Sequence, residues 1–294
     1  MEKKNVLMGL LILGTAFWGI SFPVTKMAVN GVSQSTFLFY RFSLATLILA
    51  IVFFKRLKKT TRKEFVGGVL LSLPITLAIY LTTLGLKYTP ASQCAFVAGI
   101  SVVVVPIIKL VIYKTTVSLK IWCAALIALL GLFIISVKDG FSIGIGDLYT
   151  IVGAIAFAWY LIRVEKYSST SNIIPTIVPM FLTSTVIMLC IAALDPTATW
   201  LPKESQFWPG IIYCALFSTA FMYTVSNISQ RYISAEKVSI IYLFEPVIAA
   251  IAAFFMLNEM LGWRLLVGGL FIFAGTIISE LKFRKRVRKE LSLK

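Results

Sequence analysis

Two charged residues, Arg41 and Glu245, lie inside long apolar segments of this sequence. A charge placed at the centre of a bilayer costs about 2.5 to 3.5 kcal/mol on insertion scales, and such a charge usually faces a cavity, a partner or an ion path. Glu245 directly precedes Pro246. Its carboxyl group could take up and release a proton, or pair with a cationic group of a ligand. The structural alternative is that Glu245 accepts a hydrogen bond from a neighbouring helix beside a proline kink.

Arg41 has a simpler interpretation. It lies about eight residues from one end of its apolar segment, which is a depth of ~12 Å at 1.5 Å per residue in a helix. Glu245 would be roughly 8 Å deeper by the same rise, so direct pairing needs a fully extended arginine or a bridging water. We expect Arg41 to extend to the outer interface instead, and Lys109 to extend in the same way to the inner one.

Aromatic residues occur at depth in the apolar segments. Trp18 and Trp159 occupy similar places in the two halves of the sequence. A buried indole needs a partner for its N–H group, and indole rings attract cations. The pair could therefore line a central pocket for a cationic or zwitterionic ligand, or could simply fill space between helices.

Three tyrosines extend this candidate pocket. Tyr80 shares a helical face with Thr83, and Tyr223 shares one with Asn227. Tyr242 lies one turn before Glu245 on the same face. These faces could line a ligand pocket, while hydrogen bonding between helices is the competing explanation.

The elements that position these residues are long apolar runs. Hydrophobic residues make up 59% of the 294 positions and the mean hydropathy is +0.92, well above the usual content of a soluble domain. Ten runs have roughly the length that a helix needs to cross a bilayer, and none shows the alternation of a transmembrane β-barrel. The sequence therefore predicts an all-α membrane protein with ten transmembrane helices. The runs are 5–25, 34–54, 65–86, 88–108, 121–137, 148–162, 167–194, 205–230, 238–258 and 265–279.

Basic residues predict the orientation of these helices. If both termini are cytoplasmic, 22 of the 28 lysines and arginines fall on the inner side, as the positive-inside rule requires. The first apolar run lacks a small-residue cleavage pattern, so we expect it to remain as a helix. We predict a multi-pass protein of the cytoplasmic membrane. The basic tail, 282–294, is expected to meet anionic lipid, with nucleic-acid binding as the less favoured alternative.

Residue usage excludes several classes of function. The chain has no histidine, and its four cysteines show no C-x-x-C spacing, so we expect no catalytic triad, metal site or cofactor. The apolar runs offer only one carboxylate, which argues against a membrane enzyme. No P-loop motif occurs. Any energy for transport would have to come from a gradient.

An internal repeat organises the chain. An offset of 144 residues places the stretch from Tyr88 to Ala91 on that from Tyr232 to Ala235, and Gly131 on Gly275. Each half holds five predicted helices, and because five is odd the second half enters the membrane upside down. We therefore predict two inverted five-helix repeats, 1–140 and 141–281, followed by the tail. Chance matches in apolar sequence are the alternative.

Particular stretches resemble a known family. The sequence from Leu86 to Pro106 resembles the fourth helix of EamA-type carriers in the drug/metabolite transporter superfamily. The stretch from Tyr232 to Pro246, running on to Glu259, resembles the ninth helix of that family. Phe17-Trp-Gly in the first run and Tyr40-Arg-Phe in the second also match its pattern. The resemblance covers essentially the whole chain.

The resemblance implies a monomer or loose homodimer that moves a small polar metabolite, such as an amino acid or organic cation, across the membrane. We expect a secondary carrier that works by alternating access, with a channel or a non-transporting scaffold as the alternative. The repeats differ at one point. A proline comes 18 residues after Tyr88 in the first repeat, but only 14 residues after Tyr232 in the second.

Overall fold

The fold is a bundle of helices. The computed structural model describes residues 2–136, 144–260 and 263–280, and these ranges contain no strand. The all-α class is therefore confirmed. The helices are α1 (Glu2–Ala28), α2 (Gln34–Val52), α3 (Phe54–Leu57), α4 (Arg62–Tyr88), α5 (Ala91–Ala98), α6 (Ser101–Val111), α7 (Leu119–Ser136), α8 (Ile145–Thr170), α9 (Ile174–Leu194), α10 (Phe207–Tyr213), a π-helix (Cys214–Phe221), α11 (Met222–Ser229), α12 (Ala235–Ile241), α13 (Phe244–Leu257) and α14 (Trp263–Glu280).

Eight helical spans in the described part of the chain are long and apolar enough to cross a membrane. Two of these spans are interrupted helices, α5 with α6 and α12 with α13. Helices α7 and α14 contain shorter apolar stretches, Leu119–Gly131 and Val267–Ser279. Ten spanning helices therefore remain a prediction. The tail 282–294 and the predicted boundary between the halves at 140 lie outside the described residues.

Apolar side chains cover the outside of the bundle, while many hydroxyl groups lie inside it. Leu73, Leu77 and Val186 are exposed. Between helices, the buried Thr76 hydroxyl of α4 donates to the buried Ser184 hydroxyl of α9 at 2.7 Å. In water this distribution would leave large apolar areas exposed, whereas in lipid it places the polar groups where they can hydrogen bond.

Helices α7 and α14 pack closely through glycines. A Cβ added to Gly131 would meet the Gly268 carbonyl oxygen at 2.4 Å, and one added to Gly275 would meet the Ala124 carbonyl oxygen at 2.7 Å. The 144-residue offset exchanges these two contacts, because it relates Gly131 to Gly275 and Ala124 to Gly268. A two-fold axis produces this pattern: when residue i contacts residue j, the symmetry-related copies of i and j also contact each other.

The two interrupted helices break at related places. Helices α5 and α12 begin 144 residues apart, at Ala91 and Ala235. At the first break the Val102 N–H donates to the Gly99 carbonyl at 3.1 Å, and at the second the Glu245 N–H donates to the Tyr242 carbonyl at 2.9 Å. Both bonds span three residues rather than four, as in a 3₁₀ turn.

We call the two ends of the bundle the Lys109 end and the Lys26 end. At the Lys109 end α1 and α12 begin and α6 and α8 end, and the Lys3 ammonium lies 5.3 Å from the centroid of the Tyr232 ring. At the Lys26 end α1 and α4 end and α5 begins. There the Lys26 ammonium donates to the Leu86 carbonyl at 3.0 Å.

Candidate functional site

A cavity lies between the helices and extends toward the Lys26 end. Its space between atoms is about 760 Å³, which includes open solvent at its mouth. Its lining combines aromatic rings, small residues, hydroxyl groups and two charges. The lining residues are Trp18, Ser21, Phe22, Thr25, Arg41, Ala78, Ile79, Thr82, Thr83, Leu86, Ala98, Gly99, Ser101, Gly153, Ala154, Phe157, Tyr223, Ser239, Tyr242, Leu243 and Glu245.

Glu245 faces this cavity from the first turn of α13. The start of a helix favours negative charge, because the unpaired N–H groups point toward it. No donor in the described part of the chain hydrogen bonds to its carboxylate, and no cation there forms an ion pair with it. The alternative that Glu245 accepts a hydrogen bond from a neighbouring helix is therefore not what this conformation shows. Its carboxylate has capacity for a ligand.

Arg41 also lines the cavity, which corrects the expectation that it extends to the outer interface. The residue is 6% exposed. Its Nε donates to the Thr219 hydroxyl at 2.8 Å and its Nη2 donates to the Ser218 hydroxyl at 3.1 Å. These neutral partners on the π-helix keep the guanidinium inside the bundle, because they supply hydrogen bonds that a lone buried charge would lack.

Trp18 lies at the centre of an aromatic cluster. Its Nε1 donates to the Ser218 carbonyl at 2.6 Å, so the indole N–H is satisfied at depth. The Trp18 ring lies 5.1 Å from Tyr223, 4.9 Å from Tyr242 and 5.6 Å from Phe157, measured between centroids. All four residues line the cavity. Together they form an aromatic wall beside the two charges.

Two tyrosines form hydrogen bonds between helices at the cavity or near it. The Tyr242 hydroxyl donates to the Ser226 hydroxyl at 2.6 Å, which ties the residue after α12 to α11. The buried Tyr160 hydroxyl donates to the Asn227 amide oxygen at 2.6 Å. Asn227 thus takes part in hydrogen bonding between helices, which was the alternative to a ligand pocket for the face it shares with Tyr223. Tyr223 itself lines the cavity.

Two of the candidate residues lie away from the lining. Trp159 packs against Tyr113 at 6.3 Å between ring centroids, and α8 presents Phe157 to the cavity instead. Side chains two residues apart in a helix differ by roughly 200° around its axis. Phe157 and Trp159 therefore point to nearly opposite sides of α8. On α4 the lining includes Ile79 and Thr83, whereas Tyr80 is absent from it.

The π-helix Cys214–Phe221 is a feature that the sequence did not suggest. Its Ser218 contributes a carbonyl to Trp18 and a hydroxyl to Arg41. A π-helix is rare and often marks a functional site. No sequence signal for it is evident. A second omission concerns the hydroxyl-bearing lining residues Ser21, Thr25, Thr82 and Ser239, which are too common in apolar helices to stand out.

Lys109 does not extend to the interface as expected. Its ammonium forms ion pairs with Glu165 at 2.5 Å and with Glu236 at 2.9 Å. Both partners are distant in sequence. Elsewhere, no group of three His, Cys, Asp or Glu side chains within the described ranges could hold a metal ion.

The bundle and its cavity define a class of protein. Apolar helices that enclose a polar cavity, with interrupted helices in its wall, are typical of membrane transporters. The model of the EamA-like transporter family matches residues 6–137 and 144–281. The chain therefore belongs to the EamA-like transporter family.

Relatives along the whole chain agree with this assignment. The chain is 27% identical over 276 residues to an uncharacterized transporter of Archaeoglobus fulgidus, covering 92% of this chain and 85% of the relative. It is 23% identical over 266 residues to the uncharacterized transporter YyaM of Bacillus subtilis, covering 85% and 86%. A solved crystal structure has the same fold, with a TM-score of 0.73 at 12% identity over 95% of this chain and 97% of the other.

These findings establish the general function. The chain is a multi-pass membrane transporter and not an enzyme. It acts on a small-molecule substrate in a lipid bilayer.

Proposed function

We propose that this transporter is a secondary carrier for a small zwitterionic or cationic metabolite, such as an amino acid or an organic cation, and that it works by alternating access. The main observation behind the proposal is that Glu245 and Arg41 face the same cavity without forming an ion pair with each other. The proposed substrate-binding residues are Trp18, Tyr223, Tyr242 and Glu245, with Arg41 as a further contact.

The two charges suit a ligand that carries both signs. In a cavity of low dielectric, an unpaired carboxylate gains strongly from an ammonium group, and an unpaired guanidinium gains from a carboxylate. Arg41 has hydroxyl partners for two of its nitrogens, which leaves donors available for a ligand. A zwitterion could therefore contact both residues, and a cation could contact Glu245 alone.

The aromatic wall supports the same ligand class. Trp18, Tyr223 and Tyr242 line the same cavity as Glu245, and their rings contact one another. A ring face attracts an ammonium group by about 0.5 to 2 kcal/mol, depending on desolvation. Tyr80 and Trp159, which are absent from the lining, are left out of the proposed site.

Alternating access agrees with the related halves of the bundle. We propose ten transmembrane helices arranged as two inverted five-helix repeats, 1–140 and 141–281. The exchanged contacts of Gly131 and Gly275 and the related helix breaks support this arrangement. In inverted repeats the substrate site lies near the middle of the bilayer, where the interrupted helices meet.

The energy source and the membrane orientation are part of the proposal. Because the sequence holds no P-loop, movement against a gradient would draw on another gradient. Glu245 is the candidate to bind a coupling proton. The concentration of basic residues on one side favours the cytoplasmic membrane with both termini inside. A monomer or a loose homodimer would suffice, since the cavity is lined by one chain.

Reconstitution in liposomes tests the proposal. Amino acids, organic cations and organic anions of matched size are screened for thermal stabilisation of the purified chain, and each stabilising compound is then tested for counterflow. We expect saturable exchange of zwitterions or cations and none of the anions. Exchange of anions alone would contradict the proposed substrate class. A conductance that no solute saturates would instead favour a channel.

A further inference from the structure

An ion-pair cluster joins three helices at the Lys109 end. Lys109 near the end of α6 pairs with Glu165 of α8 and with Glu236 in the first turn of α12. The Lys109 and Glu236 side chains are only 13% and 11% exposed. We call these three residues the Lys109 cluster. Its helices come from both halves of the chain, so relative movement of the halves would separate its members.

The cluster lies close to the cavity lining. Ser239 lines the cavity, and its hydroxyl donates to the Glu236 carbonyl at 2.8 Å. Glu236 and Ser239 are thus only three residues apart on α12, a rise of about 4.5 Å along the helix. A path that continued from the cavity along α12 to the Lys109 end would pass this cluster.

Unpaired polar groups concentrate at the same end. In the described part of the chain, nine buried side-chain nitrogen and oxygen atoms have no hydrogen-bond partner, and six of them belong to residues 224–236. They include an Asn227 nitrogen, the Ser229 hydroxyl and both polar atoms of the Gln230 amide. All three residues are more than nine-tenths buried. Buried polar groups are normally satisfied, so this set suits a segment that meets water or substrate in another conformation.

The Lys26 end is held differently. There the Glu259 carboxylate accepts hydrogen bonds from the backbone N–H groups of Ala91 and Ser92 at 3.0 and 3.4 Å, and from the Ser92 hydroxyl. This contact ties the residues after α13 to the start of α5, and none of its three residues lines the cavity. It offers a matched contact for comparison.

We propose that the Lys109 cluster is the closed gate of the transport path, and that Asn227, Ser229 and Gln230 line the part of the path that opens when the cluster separates. This proposal rests on the proposed alternating access. The cluster contains two carboxylates and one ammonium group. Loss of the ammonium group leaves like charges facing each other, which favours separation and hydration.

A buried ion pair suits a reversible gate. Its attraction is largely offset by the desolvation of its members, so the closed and open states can remain close in free energy. Its geometry still specifies which residues meet when the path closes. A fully apolar contact of the same area would exclude water without that specificity and would expose apolar surface on opening.

Cysteine labelling tests the gate. The four native cysteines are replaced by alanine, a single cysteine is placed by Ser229→Cys, and the full chain in liposomes reacts with a membrane-impermeant maleimide. We expect Lys109→Gln to raise the labelling rate about tenfold or more. A combined Lys109→Glu and Glu236→Lys exchange should return the rate to within about threefold of the parent, since it restores one pair.

Two further variants make the result specific. Glu259→Gln, which breaks the contact at the Lys26 end, should leave labelling at position 229 unchanged. Glu165→Gln removes one ion pair of the cluster and should raise the labelling rate less than Lys109→Gln does. Equal labelling rates in the parent, Lys109→Gln and Glu165→Gln would overturn the gate.

The outcome separates the gate from the proposed function. Counterflow in the parent with labelling that does not respond to the cluster variants rejects the gate alone. If labelling responds to the cluster variants but the parent exchanges no zwitterion or cation, the proposed substrate class is rejected and the gate is retained. Ligand stabilisation of Lys109→Gln checks that the cavity itself remains folded.

Discussion

The two interrupted helices have similar backbones and different chemistry. Around the first break, α5 and α6 give the cavity Ala98, Gly99 and Ser101. Around the second, Tyr242 and Leu243 lie between α12 and α13 and line the cavity, as does Glu245 of α13. The 144-residue offset places Ser101 opposite Glu245 and Ala98 opposite Tyr242. One break supplies small side chains, and the other supplies a ring and a charge.

This difference separates two roles of a repeated fold. Related backbones can provide related movement, while the ligand contacts need not be duplicated. A single carboxylate is enough to recognise one ammonium group. Two facing carboxylates would repel each other in a cavity of low dielectric. We therefore infer that the first break provides space and the second provides recognition.

The sharpest test of this inference removes the carboxylate. Glu245→Gln keeps the side-chain size but cannot neutralise a ligand ammonium group. We expect the apparent affinity for a zwitterion or cation in counterflow to fall on the order of 100-fold, as when one partner of a buried charge pair is lost.

Its matched control is Ser101→Ala at the other break. Loss of this hydroxyl should change the apparent affinity by less than about tenfold, in line with a single neutral hydrogen bond. Equal losses in the two variants would show that both breaks recognise the ligand. The pH dependence of driven transport in Glu245→Gln is informative as well. If it matches the parent, Glu245 does not bind the coupling proton.

A second prediction concerns the part where the halves are alike. Gly131→Ala and Gly275→Ala each place a Cβ against a backbone carbonyl of the facing helix. Overpacking of this kind costs about 1 to 3 kcal/mol. We expect both variants to lower the midpoint of thermal unfolding by similar amounts, about 3 to 10 °C in detergent.

Gly9→Ala is the control for these glycines, because a Cβ there meets nothing within 4 Å. It should keep the parent midpoint or raise it slightly, since alanine favours a helix. Unequal effects at Gly131 and Gly275 would weaken the case for a two-fold relation between α7 and α14.

The two tryptophans allow a third comparison. Trp18→Ala removes a ring from the cavity wall and should lower the apparent ligand affinity about tenfold, the scale of a partly desolvated cation–π contact. Trp159→Ala removes a ring that packs on Tyr113 outside the lining and should leave that affinity unchanged. A loss of affinity at Trp159 instead would restore the original pairing of these residues in one pocket.

The smallest expected effect lies at a contact between the halves near the surface. The Asp195 carboxylate accepts hydrogen bonds from Ser33 at 2.5 Å, Thr197 at 2.6 Å and Ser35 at 2.7 Å. These bonds hold the pKa of Asp195 below its ordinary value. We expect Asp195→Asn to lower the unfolding midpoint at pH 7 by about 1 to 2 °C.

The pH dependence of this effect has a definite sign. A depressed carboxyl pKa contributes stability that is fully present above the unfolded value of about 4 and is lost as the pH falls toward the lower folded value. The difference between parent and Asp195→Asn should therefore shrink below about pH 4. A difference that grew on acidification would contradict the assigned hydrogen bonds.

Much of the architecture could be predicted because charges bound the apolar runs. The sequence also pointed to Trp18, Tyr223, Tyr242 and Glu245, which the cavity brings together. The rotation of each helix was harder to predict. Segments that are apolar on every side have no polar stripe to indicate the inner face. For that reason the pattern could not distinguish Trp159 from Phe157 as the residue that faces the cavity.

Charged residues were misplaced for a different reason. The depths of Arg41 and Lys109 were predicted, but their partners were not, because Thr219 and Glu236 lie far away in the sequence. The sequence alone does not distinguish a buried cation with partners on another helix from a cation that extends to an interface. The run predicted at 167–194 likewise spans the end of α8 and all of α9, since charges alone do not locate that turn.

The π-helix before α11 sets the rotation of everything that follows it. A wider turn of this kind amounts to one extra residue relative to an α-helix. If the segment Cys214–Phe221 relaxed to ordinary α-helical pitch with its length unchanged, α11 would turn by roughly 100°. Tyr223 would then swing out of the wall, and Asn227 would lose Tyr160. A change of helical pitch within these eight residues would thus displace several residues of the site at once.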